Sequence, residues 1–238
     1  MLSTTMKLPA IKERKRIPSP TVTPQALAWD GKQLWVSSRD LGFIFKLNSD
    51  GSKIVEEVDP PGVVWAAVAT NGALQVTIGK GTNDDRYVYR YDAKSGFTKL
   101  FACPDLTGSY VSYDGKNLYL SQWYQQRILK MDKDGKIVGK IGIGAEICGH
   151  TFANGALYVL RGTENVPRPQ YANGPATAER FRSGAKPGEE QWWISRVDTA
   201  GVADVAKVPF AARSLTFDGE NFWSNHRAAN ETICFSLS

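Results

Sequence analysis

Cysteine and histidine are scarce in this chain, with three Cys and two His in 238 residues. Cys103, Cys148 and Cys234 are odd in number and stand at no metal-ligand spacing, which argues against a disulfide framework and favours a reducing compartment. Long apolar runs are also lacking. No stretch is long or apolar enough to span a bilayer, so no membrane association is expected. Met1 to Arg16 lacks the apolar centre of a signal peptide, and a cytoplasmic protein is the expectation. The motifs for zinc, nucleotide phosphate, a serine nucleophile elbow and an EF-hand loop are absent. The Asp50 and Asp134 turns lack the calcium-loop ligand spacing and read as hairpin turns. No cofactor and no metal site is therefore expected.

Positive charge is in modest excess, with a formal net charge of +5 and a pI near 9.0. Much of it lies in Lys12-Glu13-Arg14-Lys15-Arg16. A single basic run without a reader motif reads as a solvated strand face, so no nucleic-acid partner is expected. Hydrophobic content of 42% and aromatic content of 11%, including seven Trp, are ample for a sizeable core.

What the chain has in abundance is one phrase. Leu27-Ala28-Trp29-Asp30-Gly31-Lys32-Gln33-Leu34-Trp35-Val36 is an apolar strand, a turn and a second apolar strand, which signals a β-hairpin. The phrase returns around Asn71-Gly72, Asp114-Gly115, Asn154-Gly155 and Asp218-Gly219. After each of the first four copies come a third strand, a polar turn and a fourth strand. Four short antiparallel strands in a unit of about 40 residues are the mark of a propeller blade. The expectation is an all-β, five-bladed β-propeller occupying residues 1–238 as a single domain.

The fifth copy ends without a fourth strand, whereas residues 9–18 read like the fourth strands of the other copies. This N-terminal strand is expected to complete the last blade and close the ring. The step from the fourth to the fifth hairpin is longer than the rest because residues 161–191 form a polar, Pro- and Gly-rich insertion between the second and third strands of blade four. Such a loop is a candidate lid or a plain surface excursion.

In a propeller the starts of the first strands and the ends of the second strands surround the channel mouth on one face, where loops on a rigid scaffold carry function. Those positions hold Gln25, Trp65, Ser109, Tyr110, Gly149, His150, Arg213 and Ser214, and Ser38, Arg39, Asp40, Lys80, Gln122, Trp123, Arg161, Asn225, His226 and Arg227. Both histidines fall in this set. His150 and His226 are candidates for general acid/base work, or else a strand-bound and a loop histidine. Arg39, Arg161, Arg213 and Arg227 would hold a carboxylate, a phosphate or a developing oxyanion, or would pair with Asp40, Asp84, Asp85 or Glu164. Trp65, Tyr110, Trp123 and Tyr124 would form an aromatic wall for a small organic ligand or pack between blades. Cys148, two residues before His150, is a candidate thiol nucleophile or a small buried hydrophobe.

The Trp-Asp-Gly and Leu-Trp-Val phrasing, from about Thr23 to Leu237, resembles the NHL-type, gluconolactonase-type and glutaminyl-cyclase-type propellers. Thr23-Pro24-Gln25-Ala26-Leu27 and Leu74-Gln75-Val76-Thr77-Ile78-Gly79-Lys80 are similar to phrases of the five-bladed plant and bacterial glutaminyl cyclases. The resemblance implies the fold and a site at the mouth. That family's acidic residues do not carry over, since Val36 and Cys148-Gly149-His150 stand in their places, and the gluconolactonase metal pattern is not recognisable. The functional expectation is an enzyme acting by general acid/base chemistry on a small polar, anionic or carbonyl-containing molecule at the mouth. The alternative is a non-catalytic propeller that binds a ligand or a protein.

Overall fold

An Asp at the head of a tight turn can accept backbone N–H groups that the turn leaves unpaired. In the first copy Asp30 Oδ1 accepts from Lys32 and Gln33 N–H at 2.9 and 2.8 Å, while its Oδ2 accepts from Trp35 Nε1 at 2.8 Å. Asp114 with Tyr119 and Asp218 with Trp223 repeat the arrangement, the aromatic donor lying 3.0 and 2.6 Å from Oδ2. Burial works against the Asp114 carboxylate, yet the hydrogen bonds from Asn117 and Lys116 outweigh it and bring its pKa down to about 2. The other two copies use Asn71-Gly72 and Asn154-Gly155, all four at positive φ, as a hairpin turn of the favoured hand requires.

The computed structural model describes residues 8–80, 85–163 and 189–237. Its strands form five four-stranded antiparallel sheets. The chain enters on β1 (Lys12–Pro18). Blade one follows as β2 (Pro24–Trp29), β3 (Leu34–Ser38), β4 (Ile44–Leu47) and β5 (Ile54–Val58). Blade two comprises β6 (Val63–Thr70), β7 (Ala73–Gly79), β8 (Tyr87–Asp92) and β9 (Gly96–Ala102). Blade three comprises β10 (Val111–Tyr113), β11 (Leu118–Gln122), β12 (Arg127–Met131) and β13 (Ile137–Gly142). Blade four comprises β14 (Glu146–Ala153), β15 (Ala156–Thr163), β16 (Gln191–Asp198) and β17 (Gly201–Val208), and blade five β18 (Ala212–Phe217), β19 (Phe222–His226) and β20 (Glu231–Ser236). The protein is a five-bladed β-propeller.

β1 supplies the fourth strand of blade five, pairing antiparallel with β20 from Lys12↔Ser236 to Pro18↔Glu231. Its Ile17 is buried among Leu27, Leu34 and Leu47 of blade one and Trp223 and Cys234 of blade five. Just upstream, Ile11 N–H donates to Lys207 O and Lys207 N–H to Pro9 O, at 2.9 and 2.8 Å, so the same segment also touches the outer strand of blade four. The buried hydrophobic residues divide into five clusters, one at each junction between neighbouring blades. Blades four and five approach closely at Gly149, where a Cβ would stand 2.6 Å from the Ser214 carbonyl carbon. All three cysteines are free and buried.

Candidate functional site

Each first strand is irregular where it leaves the mouth. The pairing register shifts between Pro24 and Leu27, between Val64 and Ala66, between Ile147 and Gly149, and between Arg213 and Thr216. In blade three, Ser121 O accepts from Ser109 N–H while Ser121 Oγ accepts from Tyr110 N–H, both at 2.9 Å. Ser37 Oγ likewise accepts from Ala26 N–H at 2.9 Å. A bulge bends its strand and re-aims one side chain. Here the extra residues include Gln25, Trp65 and Cys148, and Tyr110 and Arg213 flank the equivalent irregularities.

Several of these residues meet. Gln25 Nε2 donates to Trp65 O at 3.0 Å, and Gln25 Oε1 accepts from Arg227 Nη2. Arg213 Nη1 lies 3.5 Å from the Tyr110 hydroxyl and 3.6 Å from Cys148 Sγ. Gln25 and Tyr110 are buried, and Arg227 Nε is buried with no hydrogen-bond partner. Burial, then repulsion from Arg213, pulls the Arg227 pKa down to about 10. Both guanidiniums are still charged at neutral pH, and Arg227 pays a solvation cost that a bound negative charge would offset. Arg227 opens the short turn Arg227–Ala229, and Trp123 opens the matching turn of blade three, Trp123–Gln125; Asn230 and Gln126 close them at positive φ.

A cavity of about 480 Å³ opens beside the two guanidiniums, lined by Val22, Thr23, Glu190, Trp192, Ala211, Arg213, Arg227, Ala228 and Asn230. A larger cleft of about 580 Å³ lies on the opposite face, at the Asp30 and Asn71 turns. There Lys46 lies 3.7 Å from Glu56, and Tyr91 OH donates to Glu56 at 2.9 Å. The mouth cavity, which borders the Arg227 guanidinium with its unpartnered Nε, is the better candidate.

Several expected site residues, some of them beside this cluster, are engaged by other neighbours. His150 is 1% exposed and wedged between blades three and four. Its Nε2 lies 3.2 Å from Tyr110 O, which can only accept, so Nε2 carries the proton and Nδ1 accepts from Ser112 Oγ at 2.7 Å. Burial lowers its pKa to about 4. Both nitrogens are engaged and the ring does not open on the mouth, which corrects the expectation of a proton-transfer group. His226 packs on Phe210 and faces Glu231. Its ring centroid lies 5.5 Å from that of Phe210 and its Nδ1 3.7 Å from Glu231 Oε2, with burial lowering its pKa. Burial pushes the Cys148 thiol pKa up despite the nearby Arg213, which leaves Cys148 a buried hydrophobe.

Gln122 is spent on structure: its Nε2 donates to Pro104 O at 3.1 Å and its Oε1 accepts from Arg127 Nε at 2.6 Å. Asn225 is 0% exposed and ties Thr232 of its own blade to Gln25 O of blade one, at 2.8 and 3.4 Å. Arg161 reaches Asp204 on the outer strand, Nη1 to Oδ1 3.5 Å, and Arg39 pairs with its exposed neighbour Asp40 at 3.0 Å. Trp65 carries the Arg86 guanidinium 4.0 Å from its ring centroid.

Sequence reasoning missed Trp192, Glu190, Ala228 and Asn230 in the cavity wall. The insertion was the available signal for two of them, because β15 and β16 pair as far as Thr163↔Gln191 and the insertion springs from their mouth-side ends. Glu190, at the C-terminal end of the insertion, lines the cavity. Residues 164–188, on which the expectation of a lid rests, lie outside the described residues, as does Asp84.

No family model matches the sequence, and no curated protein matches it. Solved structures do share its fold. The glutaminyl cyclase of Myxococcus xanthus is 13% identical with a TM-score of 0.62, over 96% of this chain and 97% of that one. The PQQ-bound aldose sugar dehydrogenase of Streptomyces coelicolor is 14% identical with a TM-score of 0.57, over 96% and 99%. The virginiamycin B lyase of Staphylococcus aureus is 13% identical with a TM-score of 0.51, over 94% and 99%. The expected likeness to glutaminyl-cyclase-type propellers is thus found at the level of fold. The neighbours include enzymes of unlike chemistry, and at these identities the likeness concerns the fold alone.

Proposed function

We propose that the protein binds a small organic molecule through a carboxylate or carbonyl oxygen at the channel mouth, with Arg213 and Arg227 as the groups that hold it. The observation that carries this reading is the Arg227 guanidinium, which has a buried, unpartnered Nε and a second guanidinium close enough to lower its pKa. An anion, or an oxygen gaining negative charge, would satisfy the free N–H and neutralise the repulsion. Gln25 is the positioning residue: anchored on the blade-two backbone through Trp65 O, it accepts from Arg227 Nη2 and fixes the guanidinium.

Turnover of a carbonyl-bearing ligand is the enzymatic form of the same reading. The two guanidiniums would stabilise a developing oxyanion, and the Tyr110 hydroxyl, 3.5 Å from Arg213 Nη1, would be the group to exchange a proton with an oxygen held there. Calorimetric titration of a panel of carboxylates tests the binding step. The wild type is expected to bind at least one, with Arg213→Gln and Arg227→Gln each weakening it about tenfold or more. Equal affinity in the folded variants would contradict the assignment. Mass spectrometry of the best binder after incubation with the protein tests turnover.

A further inference from the structure

We propose that the ligand of the mouth is a monocarboxylic acid with an apolar, ring- or chain-shaped body, and that Glu190 excludes a second negative charge. This rests on the reading of Arg213 and Arg227 as the oxygen-holding pair and adds the class of molecule attached to that oxygen. The two guanidiniums make one wall of the 480 Å³ cavity cationic, while Val22, Ala211, Ala228 and Trp192 make much of the remainder apolar. That volume lies within the range of about 300–1,000 Å³ usual for small-molecule sites.

Trp192 is a fixed wall. Its indole lies against the Gly162 backbone so closely that a Cβ there would stand 2.7 Å from Trp192 Cδ1, and only glycine leaves the ring this place. An apolar ligand body buried against the indole would gain affinity from area removed from water. A sugar or phosphate ester would instead set polar groups against Val22, Ala211, Ala228 and the indole face, leaving only Thr23, Asn230 and Glu190 of the wall to partner them. Glu190 lines the same cavity as the guanidiniums. A dicarboxylate or phosphate dianion held at Arg227 would bring its extra charge towards this carboxylate, whereas a monocarboxylate would meet it with an uncharged end.

Calorimetric titration with benzoate, hexanoate, benzamide, terephthalate and inorganic phosphate tests the class. Benzoate or hexanoate is expected to bind, with benzamide, which lacks the charge, at least about tenfold weaker than benzoate. Terephthalate is expected to bind more weakly than benzoate in the wild type and to recover in Glu190→Gln. Trp192→Ala should weaken benzoate about tenfold, whereas Trp192→Phe, which keeps an aromatic wall, should retain most of the affinity. Binding of phosphate or terephthalate in preference to benzoate and hexanoate would overturn the class while leaving the arginine site standing. Failure of every anion to bind would overturn both, and terephthalate affinity unchanged in Glu190→Gln would remove the excluding role of that residue.

Discussion

His150 shows how one side chain can be well placed in sequence and still serve another purpose. Its backbone lies on the inner strand of blade four near the mouth, yet its ring turns towards blade three, where Ser112 Oγ and Tyr110 O engage both nitrogens. The folded state lowers its pKa from 6.5 to about 4. Between these values the unfolded chain binds a proton that the native ring refuses, so the stability that neutral His150 contributes is complete above pH 6.5 and is lost as pH falls through 4. On an order-of-magnitude basis the loss approaches about 3 kcal/mol. Thermal melts from pH 7 to pH 4 should show a steeper fall in Tm for the wild type than for His150→Gln; parallel curves would contradict the buried neutral ring. The scarcity of histidine drew attention to this residue, but its role depends on a serine 38 positions earlier on another blade, and no local pattern links the two.

Among the strands, β1 carries the most consequence for its length. It completes the sheet of blade five, buries Ile17 at the junction with blade one, and is preceded by the backbone pairing to Lys207 in blade four. Deleting residues 1–18 removes an entire strand ladder together with Ile11 and Ile17, whose burial alone contributes about 3–6 kcal/mol. That is a large share of the roughly 5–15 kcal/mol typical of a folded domain. The truncated protein is expected to melt at least about 10 °C lower or to lose a cooperative transition, as read by circular dichroism. An unchanged melt would contradict closure by β1.

This closure was legible because the Asp-Gly and Asn-Gly turns act as a ruler: counting strands between them exposes one missing at the C-terminal end and one spare at the start. The bulges were not legible. Gln25, Trp65 and Cys148 owe their positions to a one-residue offset against the second strand, and register is a property of the pair. The three-residue turns at Trp123 and Arg227 were equally hidden, since Trp-Tyr-Gln and Arg-Ala-Ala share a backbone but no residue type.

At the scale of the molecule, a closed ring of five sheets provides five junctions and a mouth to which every blade contributes. Gln25, Trp65, Tyr110, Cys148 and the Arg213–Arg227 pair come from blades one to five in turn, and the contacts among them run across the ring. No helix among the described residues is long and apolar enough to cross a membrane. Architecture and the face carrying the candidate site were legible from the repeat. Of the residues placed there by register, Gln25, Tyr110, Arg213 and Arg227 assemble into the cluster, while Asn225 ties blade five to blade one, Arg161 pairs within blade four, and Gln122 braces the segment that leads into blade three. Strand position tells which end of a blade a residue occupies; the direction of its side chain depends on bulges and on the neighbouring blade.

The central claim, that Arg213 and Arg227 hold an anionic oxygen at the mouth, is tested most directly by following arginine side-chain Nε–Hε resonances while benzoate is added at constant ionic strength. Arg227→Lys and Arg213→Lys variants assign the two signals. The account predicts that both move together along one saturable curve, Arg227 furthest because its Nε is unpartnered and borders the cavity, while the exposed Arg14 and Arg196 remain in place. Motionless Arg213 and Arg227 signals across benzoate and the other carboxylates, or equal drift of all arginines, would contradict it.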